Sequence, residues 1–250
     1  MPATPAWPPK SLPRLFVRQP LASGELVELE APQANYLGNV MRLGVGAELL
    51  VFDGQSGEWL ARIAEAGKKR MRLVIERQTR NSEPASDVWL AFAPVKRSQT
   101  DWLVEKATEL GADHLLPVMT QRTVTERVKL GRLEAIAIEA AEQCGRTRLP
   151  EIGEAVRLNH FLANRDPGRR LYFADEGGGE AAAQAFLPGP ALILTGPEGG
   201  FTDEERSIIR AAPNSVPISL GPRILRAETA ALAALASYMA IAGDWRLIDS

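Results

Sequence analysis

From Val88 onward the apolar residues change their period. "VWLAFAPV" is a continuous run suited to a buried strand. "SQTDWLVEKATELGA" then sets Trp102, Leu103, Lys106 and Leu110 at helical spacing, with Gly111 as the stop, and "DHLLPVM" is the next strand. The alternation continues through "LGRLEAIAIEAAEQCG", a helix closed by a glycine, and a less regular middle. After that come the strands "RLYFAD" and "PALILTG", the helix "TDEERSIIRAA", the strand "VPISL" and the last helix "AETAALAALASYMAIAG". A helix between two strands carries the chain back, so the strands run the same way. The expected fold is α/β, with a mostly parallel sheet covered on both faces.

Upstream the pattern is strand-like throughout. "LFV", "LVELE", "AELLVFDG", "EWLARIAEA" and "RMRLVIERQ" alternate or run apolar, several of them separated by Gly or Pro. One helix, "PQANYLGNVMRL", opens at Pro32 and ends before Gly44. These segments predict a small β-barrel-like domain over residues 14–80. The stretch "TRNSEPASD" loses all apolar periodicity, which puts a linker at residues 81–87 and a second domain at 88–250. Residues 1–13 are proline-rich, and their first ten carry one lysine and no apolar run, so they read as a disordered leader rather than a signal peptide. No internal repeat is visible.

Composition narrows the chemistry. The longest apolar stretch, Thr229 to Ala242, is interrupted by Ser237 and Tyr238 and is too short to span a bilayer, so a cytoplasmic location is expected. A single cysteine, Cys144, excludes an intrachain disulfide, and two histidines, His114 and His160, offer no zinc spacing, so no metal is assigned. Net charge is −2, which alone disfavours a nucleic-acid partner. The charge is unevenly placed, however. Residues 1–80 hold 11 Lys and Arg against 8 Asp and Glu, whereas the remainder holds 18 against 23. The basic part is N-terminal and includes the cluster "KKRMR" at Lys68 to Arg72, which suits either RNA phosphates or a solvated strand edge.

Two turns stand out. "LILTGPEGGFTDEE" ends a strand in three glycines and a proline just before a helix, and "SLGPRILRAETAALA" ends another in Gly-Pro, with Glu228 in the first turn of the next helix. Ligands of open parallel sheets sit beyond the carboxyl ends of strands, where glycines let backbone N–H groups approach closely. Two such turns at adjacent strand ends form opposite walls of one pocket. Phe201 and Thr202 follow the last glycine where a phosphate loop requires Lys-Ser/Thr, and the spacing also fails the dinucleotide fingerprint. A nucleotide-binding hydrolase is disfavoured accordingly.

Together, "LTGPEGGFTDEE" and "LGPRILRAETAALAAL" resemble motifs two and three of the SPOUT methyltransferases, and the chain from about Arg14 to Ala240 is similar to the RsmE family of 16S rRNA uridine-N3 methyltransferases. "RLFV" and "YLGNVMRLGVGAELLVFDG" resemble its PUA-like RNA-binding domain. "KATELGADHLLPVMTQRTV" and "EAAEQCGRTRLPEI" resemble parts of its catalytic domain. The resemblance implies a trefoil-knotted α/β domain behind a PUA-like barrel, a homodimer, and S-adenosyl-L-methionine as cofactor. It implies methylation of N3 of one uridine, position 1498, in the 16S rRNA of the small ribosomal subunit. A non-catalytic RNA-binding assembly factor of the same fold is the alternative. Two departures from the family pattern are Ala227, where a threonine is usual, and "NYLGNVMR", which lacks the usual histidine.

On this resemblance the cofactor is held by Leu194, Thr195, Gly196, Pro197, Glu198, Gly199, Ser219, Leu220, Gly221, Ile224, Leu225 and Thr229. Uracil N3 is a nucleophile only once its proton leaves, so a base, or a cation facing the charge on O2 and O4, is required. Arg146 or Arg226 is expected to be that cation. Glu198 is expected as base or as an acceptor within its own turn. Arg14, Arg42, Lys68, Lys69, Arg70 and Arg122 are expected to contact RNA.

Overall fold

The computed structural model describes residues 12–67, 70–125 and 127–247. Most of the proposed leader, together with Lys68 and Lys69, therefore lies outside the described residues. The chain divides into two compact units. One comprises residues up to Pro84 together with Ala141–Leu149, and the other Ala85–Ala140 together with the chain from Pro150.

The first unit is a curled, half-barrel sheet of five strands. These are β1 (Arg14–Phe16), β2 (Leu26–Glu28), β3 (Glu48–Phe52), β4 (Glu58–Ala66) and β5 (Met71–Arg80), in the order β1-β3-β4-β5-β2. Only the β1–β3 pair is parallel. Alternating residues such as Leu49, Val51, Ala61, Ile63, Leu73 and Ile75 are fully or almost fully buried and make its core. The expected helix is shorter than its sequence pattern. An α-helical turn, α1 (Ala31–Asn35), passes into a π-helical turn over Tyr36–Val40, and Arg42 then takes a left-handed backbone (φ 57°) that ends it two residues ahead of Gly44.

Glu58, 4% exposed, is the polar centre of this unit. Its carboxylate accepts from Arg14 Nε (2.7 Å), from Arg80 Nε (3.1 Å) and Nη2 (2.9 Å), and from Thr79 Oγ1 (3.0 Å). Arg14 donates onward to the carbonyls of Ala141, Glu142 and Arg146, and Arg80 to that of Gly145. One buried acid thus orders two guanidinium groups that hold the Ala141–Leu149 segment.

The second unit is an α/β layer. Its elements in chain order begin with β6 (Val88–Phe92), α2 (Arg97–Glu109), β7 (His114–Met119), α3 (Leu130–Cys144, whose last four residues count with the first unit), β8 (Glu151–Ile152), β9 (Val156–Arg157) and α4 (Leu158–Asn164). They continue with β10 (Arg170–Ala174), β11 (Glu180–Ala181), α5 (Ala182–Ala185), β12 (Ala191–Thr195), α6 (Asp203–Ala211), β13 (Ser215–Ser219) and α7 (Ala227–Ile241). The sheet runs β11-β13-β10-β12-β6-β7-β8, with β9 also on β7, and every pair is parallel. Apolar clusters cover both faces. One gathers residues of α2, α5 and α7 against Leu90, Tyr172 and Ile193, and the other packs Phe161 and Ile209 against Leu171, Phe173 and Leu194.

On α2 the buried stripe is Thr100, Leu103, Val104, Ala107 and Thr108, while Trp102, counted among the apolar positions in the sequence, is 43% exposed. Two threonines on the inner face shifted the apparent stripe, and the buried Thr108 Oγ1 satisfies itself on the Val104 carbonyl at 2.8 Å.

Burial alone would raise the Glu58 carboxyl, but hydrogen bonds and charge from Arg80 and Arg14 outweigh it and hold the group below its ordinary value of 4.5. A lowered folded value gives stability that is complete above 4.5 and lost as pH falls through the folded value. Chemical denaturation across pH is therefore expected to show a shallower loss of stability as pH falls below 4.5 in Glu58→Gln than in the parent, and a lower stability at neutral pH. Parallel curves would remove Glu58 from this role.

Candidate active site

The strands β12 and β13, whose Gly-Pro turns the sequence singled out, are not hydrogen-bonded neighbours. β10 lies between them and pairs with both. The two turns are therefore opposite walls, and the end of β10 supplies the ground between them. The resulting cavity, about 420 Å³, is lined by Ala174, Asp175, Glu176 and Gly178 after β10, by Gly196, Pro197, Glu198, Gly200 and Phe201 after β12, and by Ile218 to Arg226 along and after β13. Ala227 and Ala230 of α7 complete it. Its volume suits a nucleoside-sized ligand.

Each wall follows from its residues. Ala191 to Thr195 is buried at every position, as a strand in the middle of a covered parallel sheet must be. Gly200 sits at φ +67°, a left-handed backbone that strains any side chain, and a Cβ there would stand 2.2 Å from Glu176 Oε1, so that carboxylate would also have to move. Thr202 then caps α6. Its Oγ1 accepts from Glu205 N at 3.2 Å, and Glu205 Oε2 accepts from Thr202 N at 3.0 Å. On the opposite wall Gly221 has φ +106°, and Arg223, Ile224 and Leu225 enter no hydrogen bond among the described residues. Their amides and carbonyls are left for the polar edges of a ligand.

Electrostatics then selects among ligands. The first turn of α6 carries Asp203, Glu204 and Glu205, so the positive end of the helix is already compensated by its own carboxylates. Backbone N–H donation within the turn, aided by Thr202, holds the Glu204 carboxyl below its usual range. A phosphate would meet three acids there, which counts against the hydrolase reading. On the β10 side Asp175, whose side chain is fully buried, binds Arg206 Nε at 3.1 Å and Arg210 Nη2, while Glu176 Oε1 takes Arg206 Nη2 at 3.2 Å. Arg210 also donates to the Gly178 carbonyl, pinning the loop to α6. The lining thus combines Glu176 and Glu198 with Arg223 and Arg226 around an apolar floor.

Of the expected cofactor residues, Gly196, Pro197, Glu198, Ser219, Leu220, Gly221, Ile224 and Leu225 line the cavity. Leu194 and Thr195 are buried strand residues that support the turn, Gly199 lies within it, and Thr229 is exposed on α7; none of these four is part of the lining. Arg226 and Glu198 line it and are exposed. Arg146 does not. It belongs to the first unit, is 8% exposed, and its Nε donates to Glu83 Oε1 at 3.0 Å. The Arg14 guanidinium is engaged by Glu58 and by three backbone carbonyls. Arg70 forms a two-bond pair with Glu28, Arg42 is exposed with no ion pair among the described residues, and Arg122 donates to Gly199 O at 2.6 Å. The sequence reading missed Asp175, Glu176 and Arg223. The signal was "FADEGGG", a third strand end followed by glycines.

The chain matches the family model described as RNA methyltransferase domain over residues 81–239, and that described as RNA methyltransferase PUA domain over residues 29–76. A relative from Rickettsia conorii named ribosomal RNA small subunit methyltransferase E is 31% identical over 229 residues, covering 89% of this chain and 93% of the relative. One of the same name from Synechocystis sp. is 34% identical over 223 residues, covering 86% and 73%. A solved methyltransferase structure from Legionella pneumophila, in complex with bound SAM, superposes with a TM-score of 0.87 at 29% identity over 93% of this chain and 99% of that one. A ribosomal RNA small subunit methyltransferase E from Neisseria gonorrhoeae bound to S-adenosyl methionine gives 0.84 at 28% identity, over 94% and 99%.

Removing one partner of a buried ion pair costs about 3–5 kcal/mol when the survivor is also buried. Arg210 remains 43% exposed, so Asp175→Ala is expected to cost less, about 2–3 kcal/mol, read as a lowered urea midpoint. An unchanged midpoint would show that the loop after β10 does not depend on this pair.

Proposed function

The chain belongs to the RNA methyltransferase family whose relatives are named ribosomal RNA small subunit methyltransferase E, and from that membership we propose that it transfers a methyl group from S-adenosyl-L-methionine to N3 of one uridine in 16S rRNA. The observation that carries the cofactor assignment is the cavity itself. It has the size for a nucleoside, backbone of Arg223 to Leu225 without hydrogen bonds among the described residues, and an acidic helix start that disfavours phosphate. S-adenosyl-L-methionine is a nucleoside without phosphates that bears a positive sulfonium, and it suits such a site. Gly196 to Gly200 and Ser219 to Leu225 would hold it.

The bound cofactor supplies an electrophilic methyl group for in-line displacement. The chain then has to bring the base into line, a task to which orientation alone contributes on the order of 7–11 kcal/mol. Uracil N3 is the central Watson–Crick position, so the target base must be unpaired. As N3 loses its proton, negative charge spreads onto O2 and O4. Arg226, exposed on the rim, is the cation that faces it, with Arg223 beside it and Glu198 as acceptor. Exposed Arg42 in the basic N-terminal unit is a phosphate contact.

The same reading includes a trefoil knot formed by the segments around Gly196 and Gly221, action in the cytoplasm, and a homodimer. Ile224, 96% exposed beside the cavity, supports the last of these.

The test is incubation with isotopically labelled S-adenosyl-L-methionine and small ribosomal subunits lacking the mark, followed by nucleoside mass spectrometry. Label in 3-methyluridine is expected; label in another nucleoside, or none while the cofactor binds, would overturn the proposal. In the same assay Arg226→Ala should slow transfer by about 100-fold or more while cofactor affinity stays near the parent value. A parallel loss of cofactor affinity would reassign Arg226 to cofactor binding.

A further inference from the structure

The loop after β7 reaches past β6, the neighbour of β7 in the sheet, to the glycine turn that follows β12. It is closed on itself, since Thr120 N donates to Thr123 Oγ1 at 3.0 Å and Thr123 N to Thr120 O at 3.3 Å. Thr125 Oγ1 ties it to the Val95 carbonyl beyond β6 at 2.6 Å. From this braced loop three hydrogen bonds cross to the turn. Arg122 Nη1 donates to Gly199 O at 2.6 Å and, more weakly, to Phe201 O at 3.4 Å, and Gln121 N donates to Glu205 Oε1 at 2.7 Å. Glu205 is 4% exposed, and its other oxygen takes Thr202 N, so this acid joins the loop to the cap of α6. The Arg122 side chain lies along Gly199, where an added Cβ would stand 3.3 Å from Arg122 Cδ.

We infer that Arg122 is a positioning residue for the cofactor turn and not a phosphate contact. By drawing the Gly199 and Phe201 carbonyls onto its guanidinium it fixes the orientation of the peptide units that continue from Gly196 to Glu198 along the cavity wall. A charged donor on a carbonyl is among the stronger hydrogen bonds, and here it acts on a turn whose glycines would otherwise leave it loose. Glu205 does the same from the helix side. The shape of the turn therefore depends on a loop distant in sequence.

This inference rests on the assignment of the cavity to S-adenosyl-L-methionine, and the experiment separates the two. Calorimetric titration of the cofactor into the parent protein tests the assignment; no binding would defeat that, whatever Arg122 does. If the parent binds, Arg122→Ala should weaken the cofactor by about tenfold or more, and Arg122→Lys, which keeps one donor for Gly199 O, should recover part of the loss. Glu205→Gln, which retains the shape of the side chain, should shift affinity in the same direction. In turnover, the KM for cofactor should rise in Arg122→Ala while the KM for RNA and the salt dependence of RNA binding stay at parent values. Parent-like cofactor affinity in Arg122→Ala would overturn the inference. So would a salt slope reduced by about one phosphate contact, the signature of a residue that binds RNA directly.

Discussion

The hydrogen-bond ladder that sets β10 between β12 and β13 is the constraint from which the site follows. Parallel strands present their carboxyl ends on one side, so three consecutive places in the sheet release three loops in the same direction. Had β12 and β13 paired directly, their glycine turns would crowd each other, strands in a sheet being only about 4.8 Å apart. With β10 between them the turns stand apart by two strand spacings, and the acidic loop after β10 fills the middle. Full burial of β12 and of Leu171 to Phe173 in β10 holds this spacing rigidly.

Charge placement then decides what that space admits. Of the acids in the lining, Asp175 is neutralised by Arg206 and Arg210 and holds the loop, Glu176 pairs with Arg206, and Glu198 is exposed. The first turn of α6 is acidic where a phosphate site would be open to anions. In the first unit Glu58 plays a part comparable to that of Asp175. Both are deeply buried acids flanked by two arginines, and both fix a segment that apolar packing alone leaves undetermined: Ala141–Leu149 in one case, the loop to Gly178 in the other. The guanidinium groups of Arg14, Arg80 and Arg210 then satisfy backbone carbonyls with their remaining donors.

Period and punctuation made much of this legible in advance. The change of pattern at Val88 marks the parallel layer, and the two glycine turns mark both walls of the cavity. What the sequence concealed was spatial order. Nothing in "RLYFAD" says that it inserts between two strands that come later in the chain, so Asp175 and Glu176 went unnoticed. The extent of the first helix was also hidden, because a π turn and a left-handed Arg42 leave no mark in apolar spacing. Cations are the hardest class to read. Arg14, Arg122, Arg146 and Arg226 look alike in sequence, yet one binds a buried carboxylate, one a half-buried carboxylate, one the carbonyls of a glycine turn, and one lines the cavity. The partners of the first three lie from 44 to 132 residues away along the chain.

The central claim is that the space beyond β12, β10 and β13 holds S-adenosyl-L-methionine, and a crystal structure grown with the cofactor tests it most directly. The account predicts an adenosine between Gly196–Gly200 and Ser219–Leu225, with its polar edge on the backbone of Arg223 to Leu225 and no ligand group against the acidic first turn of α6. A cofactor bound elsewhere, or this cavity left empty in crystals of a protein that binds the cofactor in solution, would contradict it.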